Sequence, residues 1–411
     1  MTSMRHNATT LIVWTAMMAG FANGGRAAQP TATQPAANAD PYTVACYYFP
    51  NYHADARNEA RYGKGWSEWE LIKQARPRFE GHRQPKVPAW GYVDEADPKV
   101  MARKIDAAAD NGVDVFIYDW YYYNDGPFLQ RGLEEGLLKA ANVSRIKFGL
   151  MWANHNWVEI FPMKVAKPPL LYPGKITPET WDRMTDYIIK AYFKHPSFWK
   201  IDGKPYFSIY EVQTFVESFG STDEARRALE AFRAKTRAAG FPDLHLNAVV
   251  WGNPILPGEK APKNWAQVVD ALGFDSTTSY VWVHYIGFSE FPKTPYEYML
   301  KHTIEYWPKT ASQFRVPFYP NVTMGWDPSP RTDQSKPFTN SGYTYTPTLS
   351  GNTPEAFRTA LTEARKFLDT REPSQRILTV NAWNEWTEGS YLEPDTDNGM
   401  GYLEAIKAVF K

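Results

Sequence analysis

Eight apolar, β-rich runs recur along the chain, at 43–49, 113–118, 147–151, 206–210, 244–250, 274–280, 318–322 and 377–382. Runs that are apolar on both faces are what parallel strands look like when helices cover each side of the sheet. Stretches with helical patterning separate them, at 100–110, 129–141, 178–193, 222–239, 294–306, 354–368 and 402–410. Two of these open with capping signals, Ser221-Thr222-Asp223-Glu224 and Asn352-Thr353-Pro354-Glu355. The alternation predicts βα units, and eight of them predict an α/β chain folded as a single (β/α)8 (TIM) barrel with long loops at the C-terminal face. The fifth connection is the weakest, because 253–269 is Pro-rich and leaves room only for a short helix. Long loops follow the first, third and seventh strands.

In such a barrel the residues just past each strand surround one mouth. Here they are Asn51 and His53, Asp119 and Trp120, Trp152, Asn154 and His155, Glu211, Trp251 and Asn253, Trp282 and His284, Thr323 and Trp326, then Asn384, Glu385 and Glu388. All are polar or aromatic. Glu385 and Glu388 stand in Asn384-Glu385-Trp386-Thr387-Glu388-Gly389, directly after the last strand. Two carboxylates among indoles suit chemistry at an acetal carbon, since indole faces pack on sugar C–H faces while acids move protons. Glutamates three apart are also common on solvated helix faces, but Gly389 and Pro394 prevent a helix here. Glu385 and Glu388 are therefore the expected catalytic pair.

Asp119 is expected to bind a hydroxyl, to orient a catalytic group or to cap the next helix. Glu211 is the alternative partner of Glu385 across the barrel. In the first long loop, Gly65-Trp66-Ser67-Glu68-Trp69 offers Glu68 and Trp69, with Glu68 either binding substrate or pinning its loop. His155, between Asn154 and Asn156, is either a hydroxyl donor or a packed loop histidine. Trp157, Trp251, Trp326, Asn384 and Trp386 complete the expected substrate-binding set with Trp120 and Asn154.

Aromatic residues make up 16% of the chain, and many lie beside polar residues in loop-like stretches, which favours a sugar-binding cleft over core packing alone. Forty-five basic residues balance 45 acidic ones, so no extended basic surface is implied for nucleic acid or acidic lipid. Cys46, the one cysteine, lies in an apolar run and reads as buried; the eight histidines are scattered without zinc-ligand spacing. No metal, cofactor or nucleic-acid partner is expected, and the chain is expected to be a monomer acting on a polysaccharide or oligosaccharide.

Residues 1–28 read as a secretory signal: Arg5 and His6 precede the apolar run 11–19, too short to span a bilayer, and small residues follow. Residues 29–40 form a Pro/Ala/Thr/Gln linker, and 41–411 the barrel. The expected location is secreted or periplasmic.

The segment 381–395 resembles the C-terminal signature of the WbsX-like family, which is grouped with glycoside hydrolase family 99-like domains and associated with O-antigen glycosyl transfer. The resemblance extends through Tyr48-Phe49-Pro50-Asn51-Tyr52-His53, Gly63-Lys64-Gly65-Trp66-Ser67-Glu68-Trp69, Phe79-Glu80-Gly81-His82-Arg83-Gln84-Pro85, Trp152-Ala153-Asn154-His155-Asn156-Trp157, Tyr192-Phe193-Lys194-His195-Pro196, Asp202-Gly203-Lys204-Pro205 and Gly325-Trp326-Asp327-Pro328-Ser329-Pro330-Arg331. Family 99 enzymes are retaining endo-α-mannosidases on a (β/α)8 barrel with a Glu-x-x-Glu loop after a late strand. The resemblance implies that Glu385 is the base for the substrate's 2-hydroxyl and Glu388 the acid for the leaving oxygen. One position departs: WbsX-like sequences commonly carry an acid where this chain has His155.

Three function classes follow. An exported glycoside hydrolase is favoured, because a leader would remove the chain from cytosolic nucleotide-sugars and because no Gly-rich phosphate cradle or Asp-x-Asp motif is present. The alternatives are a WbsX-like glycosyltransferase in polysaccharide biosynthesis and a non-catalytic glycan-binding protein.

Overall fold

The computed structural model describes residues 42–411. The expected signal and linker, and residue 41, lie outside the described residues. The remainder closes into a barrel of parallel strands in chain order: β1 (Thr43–Tyr48), β2 (Val115–Tyr123), β3 (Lys147–Trp152), β4 (Lys204–Ile209), β5 (His245–Val249) and β6 (Ser276–Thr278). The seventh stave is two short pieces, β7 (Phe318–Tyr319) and β8 (Asn321–Thr323), and β9 (Ile377–Asn381) is the eighth. Pro320 separates β7, which pairs with β6, from β8, which pairs with β9. Its carbonyl still accepts from the Thr379 amide at 2.9 Å. Closure is completed by β9 against β1, with Thr43 opposite Ile377 and Cys46 opposite Val380. Cys46 is fully buried, and burial pushes its thiol up, as an inert core residue requires.

The outer helices are α1 (Pro98–Asp110), α2 (Pro178–Ile188), α3 (Val212–Phe219), α4 (Thr222–Ala238), α5 (Trp265–Leu272), α6 (Tyr296–Ala311), α7 (Pro354–Asp369) and α8 (Gly401–Phe410). Ser221 and Thr353 cap α4 and α7 through side-chain acceptance from Glu224 and Ala356, as their sequences predict. The fifth connection does carry only a short helix, α5. The expected helix at 129–141 is instead a π turn, Gly132–Gly136, followed by a 3-10 turn, Leu137–Lys139. Glycine is a poor helix former, and at Gly136 it is required by close approach: a Cβ there would fall 2.1 Å from the Glu95 carbonyl oxygen.

Three long segments cover the mouth, 49–97 after β1, 153–177 after β3 and 324–353 after β8. They are tied to one another. His82 Nε2 lies 2.8 Å from Asp327 Oδ2, Gln84 donates to the same oxygen at 2.7 Å, and the Met163 amide donates to the Arg331 carbonyl at 2.8 Å.

Candidate active site

After β9 the chain makes a compact hairpin. Asn384–Glu385 pairs antiparallel with Ser390–Tyr391 around the 3-10 turn Trp386–Glu388, which Gly389 closes at φ 64°. A Cβ at Gly389 would meet Asp327 Cβ at 2.6 Å, so this position needs glycine for space as well as for its dihedral. The indoles hold the hairpin from below: Trp383 and Trp386 donate to Glu393 at 2.9 and 2.7 Å, and Trp386 stacks on Tyr391 with centroids 3.7 Å apart. Glu393 in turn receives buried Lys104 at 2.7 Å. Asn384 exchanges two bonds with the Phe49 backbone, at 2.8 and 2.7 Å. With every other side chain of the turn spent on anchoring, Glu385 and Glu388 are presented to the mouth.

Arg331, buried in the loop after β8, meets both. Its Nη1 donates to Glu388 Oε1 at 2.6 Å, its Nη2 lies 3.5 Å from Glu385 Oε2, and its Nε donates to Glu68 Oε1 at 2.6 Å. Tyr343 donates to the same Glu388 oxygen at 2.7 Å. Glu68 is fully buried and fixed by Asn51 at 2.7 Å and Thr387 at 2.6 Å. One cation therefore serves three carboxylates. Burial pushes Glu385 well above the usual carboxylate range, with Arg331 opposing and Glu388 adding repulsion. Burial also raises Glu388, opposed by Arg331 and Tyr343. The two titrate as a pair, and the closer donors on Glu388 favour its anion, so in the free protein the proton rests more on Glu385.

Both acids line a cleft together with Asp119, Tyr121, His155, Trp157, Tyr210, Tyr280, His284, Trp326 and Arg331. Asp119 Oδ2 accepts from Tyr280 at 2.8 Å, while its buried Oδ1 has no partner. Burial raises the Asp119 carboxyl far above its usual range. His155 Nδ1 lies 3.0 Å from the Asn156 carbonyl oxygen, the geometry of a donor to it, and burial lowers its pKa to about 4. A neutral ring with this tautomer leaves Nε2 as an acceptor.

Of the candidates from sequence, Glu385, Glu388, Asp119, His155, Trp157 and Trp326 come together around this cavity. The others do not line it. Strand alternation explains two of them, since side chains on β2 and β3 point in and out in turn. Asp119 and Tyr121 face the cavity while Trp120 between them donates outward to Tyr192; Met151, Ala153 and His155 line it while Asn154 binds the Glu211 backbone, at 2.9 and 2.7 Å. Glu211 faces the Lys260 amide, and burial raises its pKa to about 8. Trp251 donates to the Tyr210 carbonyl and stacks on His284; Trp69 donates to the Val93 carbonyl and packs on Tyr52 and Trp386. Glu68 stands behind Arg331, and Asn384 and Trp386 anchor the hairpin.

Sequence reasoning missed Arg331, Tyr343, Tyr121, Tyr210 and Tyr280. The in–out parity of the strand ends was the available signal for Tyr121, two residues beyond Asp119. For Arg331 the signal was weaker, a lone basic residue closing Asp327-Pro328-Ser329-Pro330-Arg331 in the loop after the seventh stave.

The comparisons with known proteins agree with this fold. Among solved structures, a family 99 endo-α-mannosidase from Bacteroides thetaiotaomicron superposes with a TM-score of 0.55 at 15% identity, over 90% of this chain and 97% of its own. A glycoside hydrolase-like protein superposes with a TM-score of 0.58 at 16% identity, over 91% and 95%. At these identities the likeness is one of fold, that of barrel glycoside hydrolases. In sequence, the protein WxcX of Xanthomonas campestris pv. campestris strain B100, itself uncharacterized, is 25% identical over 387 residues, 89% of this chain and 49% of its own length. WxcX of strain ATCC 33913 matches to the same extent, so the chain spans about half the length of these relatives. The model of the family described as glycosyltransferase WbsX matches residues 44–406, and the chain accordingly belongs to the WbsX family, with the barrel of family 99-like glycoside hydrolases.

Proposed function

We propose that this chain is an exported retaining glycoside hydrolase that cleaves O-glycosidic bonds of a neutral polysaccharide or glycan with the Glu385/Glu388 pair. The observation that carries the reading is geometric: two carboxyls whose affinity for a proton is raised by burial face one cavity with a single cation, Arg331, between them, an arrangement suited to passing a proton between substrate and acid.

The route follows the family resemblance. A bound sugar places its 2-hydroxyl on Glu385, and that hydrogen bond favours the Glu385 anion and leaves the pair's shared proton on Glu388. Arg331 and Tyr343 both occupy Oε1 of Glu388, which leaves Oε2 to carry it. Glu385 then takes the hydroxyl proton as O2 bonds to C1, the glycosidic bond breaks, and Glu388 protonates the leaving oxygen. In the second half, Glu388 removes a proton from water as the water oxygen bonds to C1 and the C1–O2 bond breaks, and O2 regains its proton from Glu385. The sugar leaves with its original anomeric configuration.

The family's description names glycosyl transfer, and the cavity argues against a nucleotide-sugar donor. Among the described residues lining it, Arg331 is the one lysine or arginine, and three carboxylates consume its charge, so a diphosphate would meet no free cation.

The test is a screen of the purified protein against α-mannans, rhamnose-containing glycans and bacterial exopolysaccharides, with Glu385→Gln as control. Release of reducing ends by the wild type alone is expected; binding without release by either would leave a glycan-binding protein. On cleaved substrates, Glu388→Gln is expected to lose at least ~100-fold more activity on poor leaving groups than on activated aryl glycosides. Equal losses would remove Glu388 from the acid role.

A further inference from the structure

The cavity has three kinds of lining: polar groups, aromatic faces such as Phe49, Tyr121, Trp157, Phe161 and Trp326, and aliphatic side chains. One polar group is Asp119 on β2 with Tyr280 past β6 and Glu385 and Glu388 past β9, with Arg331 beside them; His155, Tyr210 and His284 add further polar atoms. Most of these are already engaged, Tyr280 with Asp119 and Arg331 with its carboxylates. The aliphatic part of the wall is Met151, Val158, Ile160, Ile255, Leu256 and Val281, beside the aromatic faces. Aromatic faces are the usual platform for sugar rings, whereas branched aliphatic side chains offer a hydroxyl neither a partner nor a stacking face.

Part of this wall is held in place by a dedicated contact. The buried Glu259 carboxylate accepts from the amides of Ile255 and Leu256 at 2.6 and 2.8 Å, and from Tyr210 at 2.5 Å. A carboxylate sunk into the protein to hold two consecutive amides fixes their side chains as part of the cavity rather than as a loose rim.

We propose that the sugar bound here is a 6-deoxyhexose, whose methyl group meets the aliphatic wall where an ordinary hexose would bury a hydroxymethyl without a partner. The inference rests on the hydrolase reading above for its chemistry, but concerns recognition. The same cavity disfavours uronic and other acidic sugars, because Arg331 is already engaged by Glu68, Glu385 and Glu388, and three acidic groups, Asp119, Glu385 and Glu388, line the cavity.

The test uses the full chain and matched glycosides that differ only in CH3 against CH2OH at C5, 6-deoxymannose against mannose and fucose against galactose. A kcat/KM higher by about 10- to 100-fold for the methyl member of a cleaved pair is expected, the range one group in an apolar pocket supplies. Ile255→Ser and Leu256→Ser should narrow that ratio by raising turnover of the hydroxymethyl member. Equal or faster cleavage of the hydroxymethyl member by the wild type would overturn the inference and leave the hydrolase reading standing. Cleavage of no pair would remove the hydrolase reading, and titration of the same glycosides would then decide the sugar class: tighter binding of the methyl member supports it, equal or absent binding overturns it.

Discussion

Arg331 meets Glu388 at 2.6 Å but Glu385 only at 3.5 Å, and this asymmetry distinguishes two acids that the sequence presents as equivalent. Replacing Arg331 by Met removes the one attraction that lowers both carboxyls. Their pKa values should rise, so the acid limb of the kcat/KM profile, where both acids become protonated, should move to higher pH, with a loss at the optimum of about 100-fold or more. An unchanged acid limb would show that Arg331 acts only through packing.

Lys104 is buried without exposure among Glu393 at 2.7 Å, Tyr48 at 2.9 Å and Glu95 at 3.8 Å. Lys104→Met keeps the stem and removes the charge, leaving two buried carboxylates without their cation. Breaking a buried pair from one side costs about 3–5 kcal/mol, and Glu393 carries both hairpin indoles. The variant should therefore unfold at lower denaturant and lose activity through a displaced Glu-x-x-Glu turn. Wild-type stability in the variant would show that the network relaxes or reprotonates.

His245, at the start of β5, is buried against Ser276, and burial lowers its pKa to about 4. Its unfolded pKa is about 6.5. The folded state thus binds fewer protons than the unfolded one between these values, so this stabilisation is present above pH 6.5 and is lost as pH falls toward 4. By pH 5 the loss amounts to about 2 kcal/mol. Denaturant titrations of wild type and His245→Asn at pH 7.5 and 5 should show that share of acid sensitivity missing from the variant.

The barrel was legible because its strands are apolar on both faces, a pattern that survives without knowledge of their neighbours. The region 129–141 was not, since its helical spacing concealed Gly132 and Gly136, whose role depends on contact with Glu95. The Glu-x-x-Glu turn stood out as a local cluster, whereas Arg331 lies 54 and 57 residues from the two acids and becomes their partner only through closure of the barrel. Trp69 and Trp386 show a related limit. Their loop positions suggested sugar platforms, but an indole packs as readily on another ring, and here the two pack on each other.

The cross-ties between the three long segments make the rim of the barrel behave as one part. His82 and Gln84 share one oxygen of Asp327, Glu68 holds Arg331, and Met163 holds the Arg331 carbonyl. A loop exchanged alone with that of a relative would leave buried donors and acceptors unmatched at its seams. Specificity in this architecture is therefore inherited by the set, and a graft that moves all three segments together should be tolerated where three separate grafts are not.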